Sequence, residues 1–383
     1  MANRAYREVV TGARRILAAL LACAIATSAT APAEAAPRSF GNKAFWGPTR
    51  VIGGKSAFPL YRSMGVSIFE TGMSWDLMAP TKPANPRDPA DPAYRWPADI
   101  DFALAEADRY DMDVLVTVRG APTWANGDRT AEWAPLRDRD YADFMTAASR
   151  RFPGVRFWQV WGEPSSGVTF KPFKEPPYPK PLRIPLTRAE SVAPRRYARL
   201  LDSAYVAIKR ADKRDVVVGG NTFSGGAILP LDWIRAMRLP SGRPPRMDMF
   251  GHNPFTQRPP NLADGQLIPG LGWGDFSDLD LVARYVDRYQ TPRSGRKLKL
   301  FLTEFTLNTD RPSTSFNFWV TPAVEAQWVA AALRITRGWR KVYALAWINL
   351  YDDPPAEEGN EVRAGLLDWQ GRRKPAFKAF KRG

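Results

Sequence analysis

Two glutamates stand where a folded chain could use them for chemistry. Glu163 follows the run Val155-Arg156-Phe157-Trp158-Gln159-Val160-Trp161 and lies between Gly162 and Pro164. β-Branched and aromatic residues without a helical period predict a strand, and the two breakers end it. Glu304 follows a second apolar run, Leu298–Thr303. One strand-end glutamate is most often solvated or salt-bridged. Two of them, each in so marked a local sequence, point to a site. Facing each other, they can divide proton donation and nucleophilic attack between them. Like-charge proximity raises the pKa of one, which leaves an acid beside a base near neutral pH. Other chemistries have few residues to draw on. His252 is the sole histidine and Cys23 the sole cysteine. That disfavours imidazole and thiolate metal sites. With no G-x-S-x-G it also disfavours a Ser-His-Asp hydrolase. The reading needs no metal or organic cofactor.

The elements that must position these carboxylates alternate along the chain. Expected strands are Ala44–Gly47, Val66–Thr71, Val114–Val118, Val155–Trp161, Val216–Gly219, Met247–Gly251, Leu298–Thr303 and Ala344–Ile348. Helical periods separate them, most clearly over Asp99–Arg109, Asp140–Arg151, Pro194–Arg210, Leu279–Tyr289 and Ala323–Arg337. A last helix starts at Pro375. The nearly continuous apolar strands suggest a parallel sheet buried on both faces. Eight strand-and-helix units in this length fit a (β/α)8 TIM barrel, with catalytic groups at the C-terminal mouth. An open doubly wound sheet is the alternative, but no G-x-G-x-x-G follows any strand. Three long polar or proline-rich stretches read as βα loops: 80–97, which crosses a surface, 165–192, beside the mouth, and 256–278.

Residues 1–36 are expected to be a secretory signal peptide: Arg4, Arg7, Arg14 and Arg15, then an apolar run, then Ala33-Glu34-Ala35. The domain would then span 37–383, secreted or associated with the cell envelope. Leu20-Leu21-Ala22-Cys23 offers a lipoprotein alternative. Residues 1–36 carry four Arg and two Glu, so the remainder keeps +14 of the formal +16. The basic residues are scattered without a recognition motif, so no nucleic-acid partner is expected. No later run is apolar enough to span a membrane. A monomer is expected.

Trp161-Gly162-Glu163-Pro164 resembles the Trp-Asn-Glu-Pro motif of clan A glycoside hydrolases. Phe301-Leu302-Thr303-Glu304-Phe305 is similar to their strand-seven nucleophile segment. Met73-Ser74-Trp75, Gly120–Ala125 and Gly365–Asp368 with Lys374-Pro375-Ala376 are closest in character to the family 39 and family 5 branch. The resemblance covers nearly all of 37–383. It implies that Glu163 is the acid/base and Glu304 the nucleophile of a retaining enzyme, with carboxyls about 5–5.5 Å apart. It implies a carbohydrate substrate and makes Trp347 the aromatic floor beneath the cleaved sugar. Trp75, Trp124 and Arg119, near strands two and three, and His252, near strand six, are candidate substrate contacts. Gly162 stands where the family carries the Asn that reaches the sugar 2-hydroxyl; Asn221 or Asn253 is expected to compensate. Phe255 stands where a Tyr is usual. Lys171, Lys174, Lys180 and Arg183 hint at an anionic glycan. A glycan-binding pseudoenzyme and a transglycosylase are the alternatives.

Overall fold

The computed structural model describes residues 40–178, 180–313, 315–356 and 359–383. The expected signal peptide and Cys23 lie outside the described residues. Eight parallel strands close on themselves in sequence order. They are β1 Asn42–Trp46, β2 Ile68–Ser74, β3 Asp113–Arg119, β4 Phe157–Val160, β5 Val216–Phe223, β6 Met249–Asn253, β7 Lys299–Phe305 and β8 Val342–Ile348. This is the expected (β/α)8 barrel. Strand side chains alternate between the two faces. Ala44, Ile68, Leu115, Phe157, Val218, Phe301, Ala344 and Ala346 fill the inside. Phe157 and Phe301 meet edge to face there, 5.7 Å apart. The other parity, such as Val114, Val116 and Val118, packs under the helices.

The helix Val192–Ala211 shows how the outer layer fixes the mouth. Tyr197, Leu200, Leu201, Ala204 and Ile208 recur at helical spacing and are buried. Tyr197 donates its hydroxyl to Val160 O at 2.8 Å and accepts from Gly220 N at 3.0 Å. It therefore ties the end of β4 to Gly220 within β5. From the preceding helix, Asp138–Arg151, Tyr141 donates to Val118 O at 2.8 Å. These bonds satisfy strand-end backbone groups where the chain turns into the mouth loops.

Several expectations change. Strand five does not stop at Gly219. Gly220 (φ 88°) and Asn221 (φ 39°) take left-handed conformations, the register shifts, and pairing resumes through Phe223. Strand seven runs through Glu304 to Phe305, with its own register shift after Leu302. Trp347 is not a subsite floor. Ala344 and Ala346 face inward, so Trp347 faces outward onto Phe305 and Phe380, 6.0 and 6.4 Å between ring centres. Trp75 is not a substrate contact either. It is fully buried against Trp124, Tyr141 and Phe144.

Candidate active site

Glu163 and Glu304 both emerge at the C-terminal ends of their strands and line one cleft of about 620 Å³. Glu163 is held by its backbone. Trp161 (φ 65°) and Glu163 (φ 43°) are both left-handed, a conformation that non-glycine residues adopt only when surroundings enforce it. Trp161 N–H donates to Val118 O at 2.9 Å, and Glu163 O accepts from Ser166 N–H at 3.0 Å and Thr169 Oγ1 at 2.6 Å. The turn therefore swings the Glu163 side chain over the barrel instead of continuing the strand.

A polar relay joins the two carboxylates. Asn253 Nδ2 donates to Glu163 Oε1 at 2.7 Å, and the same side chain hydrogen-bonds Glu304. Asn253 Oδ1 and Asn221 Oδ1 each lie 2.7 Å from Thr303 Oγ1, whose one proton serves one of them at a time. Asn221 Nδ2 donates to Trp161 O at 3.3 Å. Asn253 thus touches the carboxylates, while fully buried Asn221 supports the turn before Glu163. Of the two candidates to stand in for the missing Asn, only Asn253 touches a carboxyl.

Both carboxyls are partly exposed at the mouth and enclosed by protein on their remaining sides. Burial raises the pKa of each, and the Glu163 charge raises Glu304 further. The Arg119 charge and the Asn253 hydrogen bond oppose the rise at both. Two like charges so placed keep one proton between them across neutral pH. Arg119 ends β3 and is exposed, so its charge is available at the mouth.

The opposite wall is aromatic. Phe223, Phe255 and Phe316 form an edge-to-face ladder with 5.8 Å spacings, and Trp273 and Phe318 extend it. Ile348, the last residue of β8, lines the cleft where Trp347 was expected. Phe255 is a wall residue in this ladder. Signals for the wall lay in its aromatic loops, but separate loops converge only once the barrel closes.

His252 does not face the cleft. It is fully buried, with Nδ1 2.8 Å from Thr222 Oγ1 and Nε2 2.7 Å from Gly274 O. A carbonyl only accepts, so Nε2 carries the proton and Nδ1 accepts from Thr222. Burial lowers its pKa to about 4, which keeps the ring neutral. His252 is a satisfied structural residue, not a substrate contact. Trp124 is half-buried, packs its edge on Trp75 and donates to Ala79 O at 2.8 Å; it does not line the cleft. Two of the four basic loop residues are already paired, Lys171 with Glu132 at 3.0 Å and Lys180 with Glu190. Lys174 and Arg183 are exposed.

Gly162 leaves space. A Cβ there would meet only Thr117 Cγ2, at 3.9 Å. Deeper in the barrel lies Glu70, a fully buried carboxyl on β2 that no local sequence pattern marks out. Burial, and then the charge of Glu304, push it well above the ordinary carboxylate range. Among the described residues, no group of three or more His, Cys, Asp or Glu could hold a metal ion.

No protein-family model matches this chain, and no curated protein matches it. Solved structures do. A family 39 glycoside hydrolase from Bacteroides cellulosilyticus WH2 aligns over 90% of this chain and 64% of its own, with 15% identity and a TM-score of 0.59. A glucosidase from Croceicoccus marinus aligns over 90% and 67%, with 15% identity and a TM-score of 0.58. A family 39 β-xylosidase from Caulobacter crescentus aligns over 90% and 71%, with 17% identity and a TM-score of 0.55. This chain thus spans about two thirds of the length of these proteins and shares their barrel fold.

Proposed function

We propose that the protein is a retaining glycoside hydrolase acting on an oligo- or polysaccharide. The observation that carries this reading is the pair Glu163 and Glu304. They come from opposite sides of one barrel mouth, are bridged by Asn253, and each has its pKa raised by burial. The shared fold with glycosidases supports it. In the first step the Glu163 carboxyl gives its proton to the glycosidic oxygen as the bond to the anomeric carbon breaks. The Glu304 carboxylate attacks that carbon and forms a glycosyl-enzyme. In the second step Glu163 takes a proton from water, the water oxygen attacks the anomeric carbon, and Glu304 leaves. Asn253 steadies the carboxylates, and the Arg119 charge favours their ionised forms. Arg119 also favours a substrate carrying an acidic group, now that Lys171 and Lys180 are accounted for by ion pairs.

The test is turnover of a panel of aryl glycosides and glycans by the mature protein and by Glu163→Gln and Glu304→Gln. Loss of the acid lowers kcat by about 10²–10⁴-fold. Loss of the nucleophile abolishes the covalent intermediate. Variants that keep the wild-type rate would overturn the assignment. Glycan binding without cleavage by the wild type would instead support a binding protein on the same barrel.

A further inference from the structure

Below the mouth, the barrel interior changes from apolar to polar. Ile68, Leu115 and Phe157 belong to the inner core on β2, β3 and β4. Two residues further along the same strands, period two places Glu70, Thr117 and Gln159 on the same inward face. Glu70 and Gln159 are fully buried and Thr117 is 3% exposed. Glu70 Oε1 and Oε2, Thr117 Oγ1, and Gln159 Oε1 and Nε2 have no hydrogen-bond partner among the described residues. Across the barrel, Asn221, Asn253 and Thr303 have partners, in one another, in Trp161 O and in Glu163. Five unpaired polar atoms in one place are costly, and apolar side chains of similar size would fill the same space without that cost. Their arrangement suits bridging water, which needs two to four polar partners. The space at Gly162 opens onto Thr117, so this polar storey lies directly beneath the turn that carries Glu163.

We propose that Glu70 is a positioning residue for Glu304: with Thr117 and Gln159 it holds buried water beneath the mouth, and its carboxyl donates through that water toward the nucleophile. The proposal rests on reading Glu304 as the nucleophile. It stands on three strands of continuous register and on full burial. The charge effect of Glu304 on Glu70 supports it, since a buried acid beside an ionised carboxylate keeps its own proton. A neutral acid that donates steadies the ionised state of its neighbour. The charged and titratable groups facing the pair are Glu304 on the Glu70 side, and Glu163 with Arg119 around Glu304.

Two variants separate this role from plain packing. Glu70→Gln keeps a donor of the same shape, and Glu70→Leu removes it. The pH profile of kcat/KM on an aryl glycoside is expected to keep its acidic limb in Glu70→Gln. In Glu70→Leu that limb moves up by about one pH unit. Coincident profiles for wild type and Glu70→Leu would overturn the proposal. So would an equal shift in both variants. If Glu70→Leu does not fold, Thr117→Val serves as the second variant, with a smaller shift in the same direction. A high-resolution crystal structure of the wild type gives a readout free of activity: water bonded to Glu70 and Gln159 is expected, and a dry interior overturns the proposal. If the wild type cleaves no glycoside, the hydrolase reading fails on that assay, while the crystal structure still decides the water site.

Discussion

Asn253 is the residue through which the two carboxylates are made compatible. Its amide donates to Glu163 and hydrogen-bonds Glu304, and so lowers the pKa of both against the burial that raises them. Asn253→Ala is expected to lower kcat/KM by about 10–100-fold, the worth of a hydrogen bond to a charged group. Both carboxyl pKa values rise in that variant, so the acidic limb of the pH profile moves upward. In the wild type the opposite limb belongs to loss of the shared proton. Burial and the like charge of the partner carboxyl push that last proton loss of the pair up to about 8, so activity should fall as pH rises through that value. A pH-independent rate between 6 and 10 would contradict the shared proton. At this scale, residue type and strand-end position were enough to bring out Glu163, Glu304, Arg119 and Asn253 as candidates, and the structure sets all four at or just past C-terminal strand ends. The sequence was silent on Thr303 and Glu70, whose roles depend on which face of a strand they occupy.

Strand parity decides which residues near a strand end reach the cleft. In β8, Ala344 and Ala346 fill the interior, and that parity sends Trp347 outward and leaves Ile348 in the cleft. A tryptophan near a strand end suggested a sugar platform, but side-chain direction is set by register against β1 and β7, which no local pattern reveals. Trp347→Ala is therefore expected to cost about 3–5 kcal/mol of stability, as a large buried side chain does. The folded fraction should keep the wild-type KM. A large rise in KM without loss of stability would restore Trp347 to the cleft. His252 and Trp75 follow the same logic, being polar or aromatic residues near strand ends that the surrounding helices and loops bury. Strand five was cut short for a related reason. Gly220 and Asn221 read as a stop, yet their left-handed backbone makes a bulge through which pairing continues. That bulge puts Asn221 beneath the Glu163 turn.

For the molecule as a whole, eight alternating units were enough to foresee the closed barrel, since closure follows from count and connectivity. The same closure sets two acidic groups together at the mouth, and stability registers that. A carboxyl with a raised folded pKa contributes stability that is fully present below its unfolded value and is lost as pH rises through its folded value. For the last proton of the Glu163–Glu304 pair that window runs from the ordinary glutamate value of 4.5 to about 8. Glu304→Gln removes the loss, so its Tm at pH 8 is expected to exceed that of the wild type by about 2 °C. Equal melting curves at pH 8 would show that the pair is not strained.

The tyrosine bonds at the strand ends have a further consequence for how such a molecule can change over generations. Tyr141 and Tyr197 clamp the roots of the mouth loops from the helices behind them, to Val118, Val160 and Gly220. Most of the cleft wall comes from elsewhere, from the loops after β6 and β7 that carry Phe255, Trp273, Phe316 and Phe318. Insertions and substitutions in those walls can therefore accumulate while the turn that carries Glu163 stays anchored from behind. The shape of the cleft is free to drift by small heritable steps that leave its two carboxyls where they are.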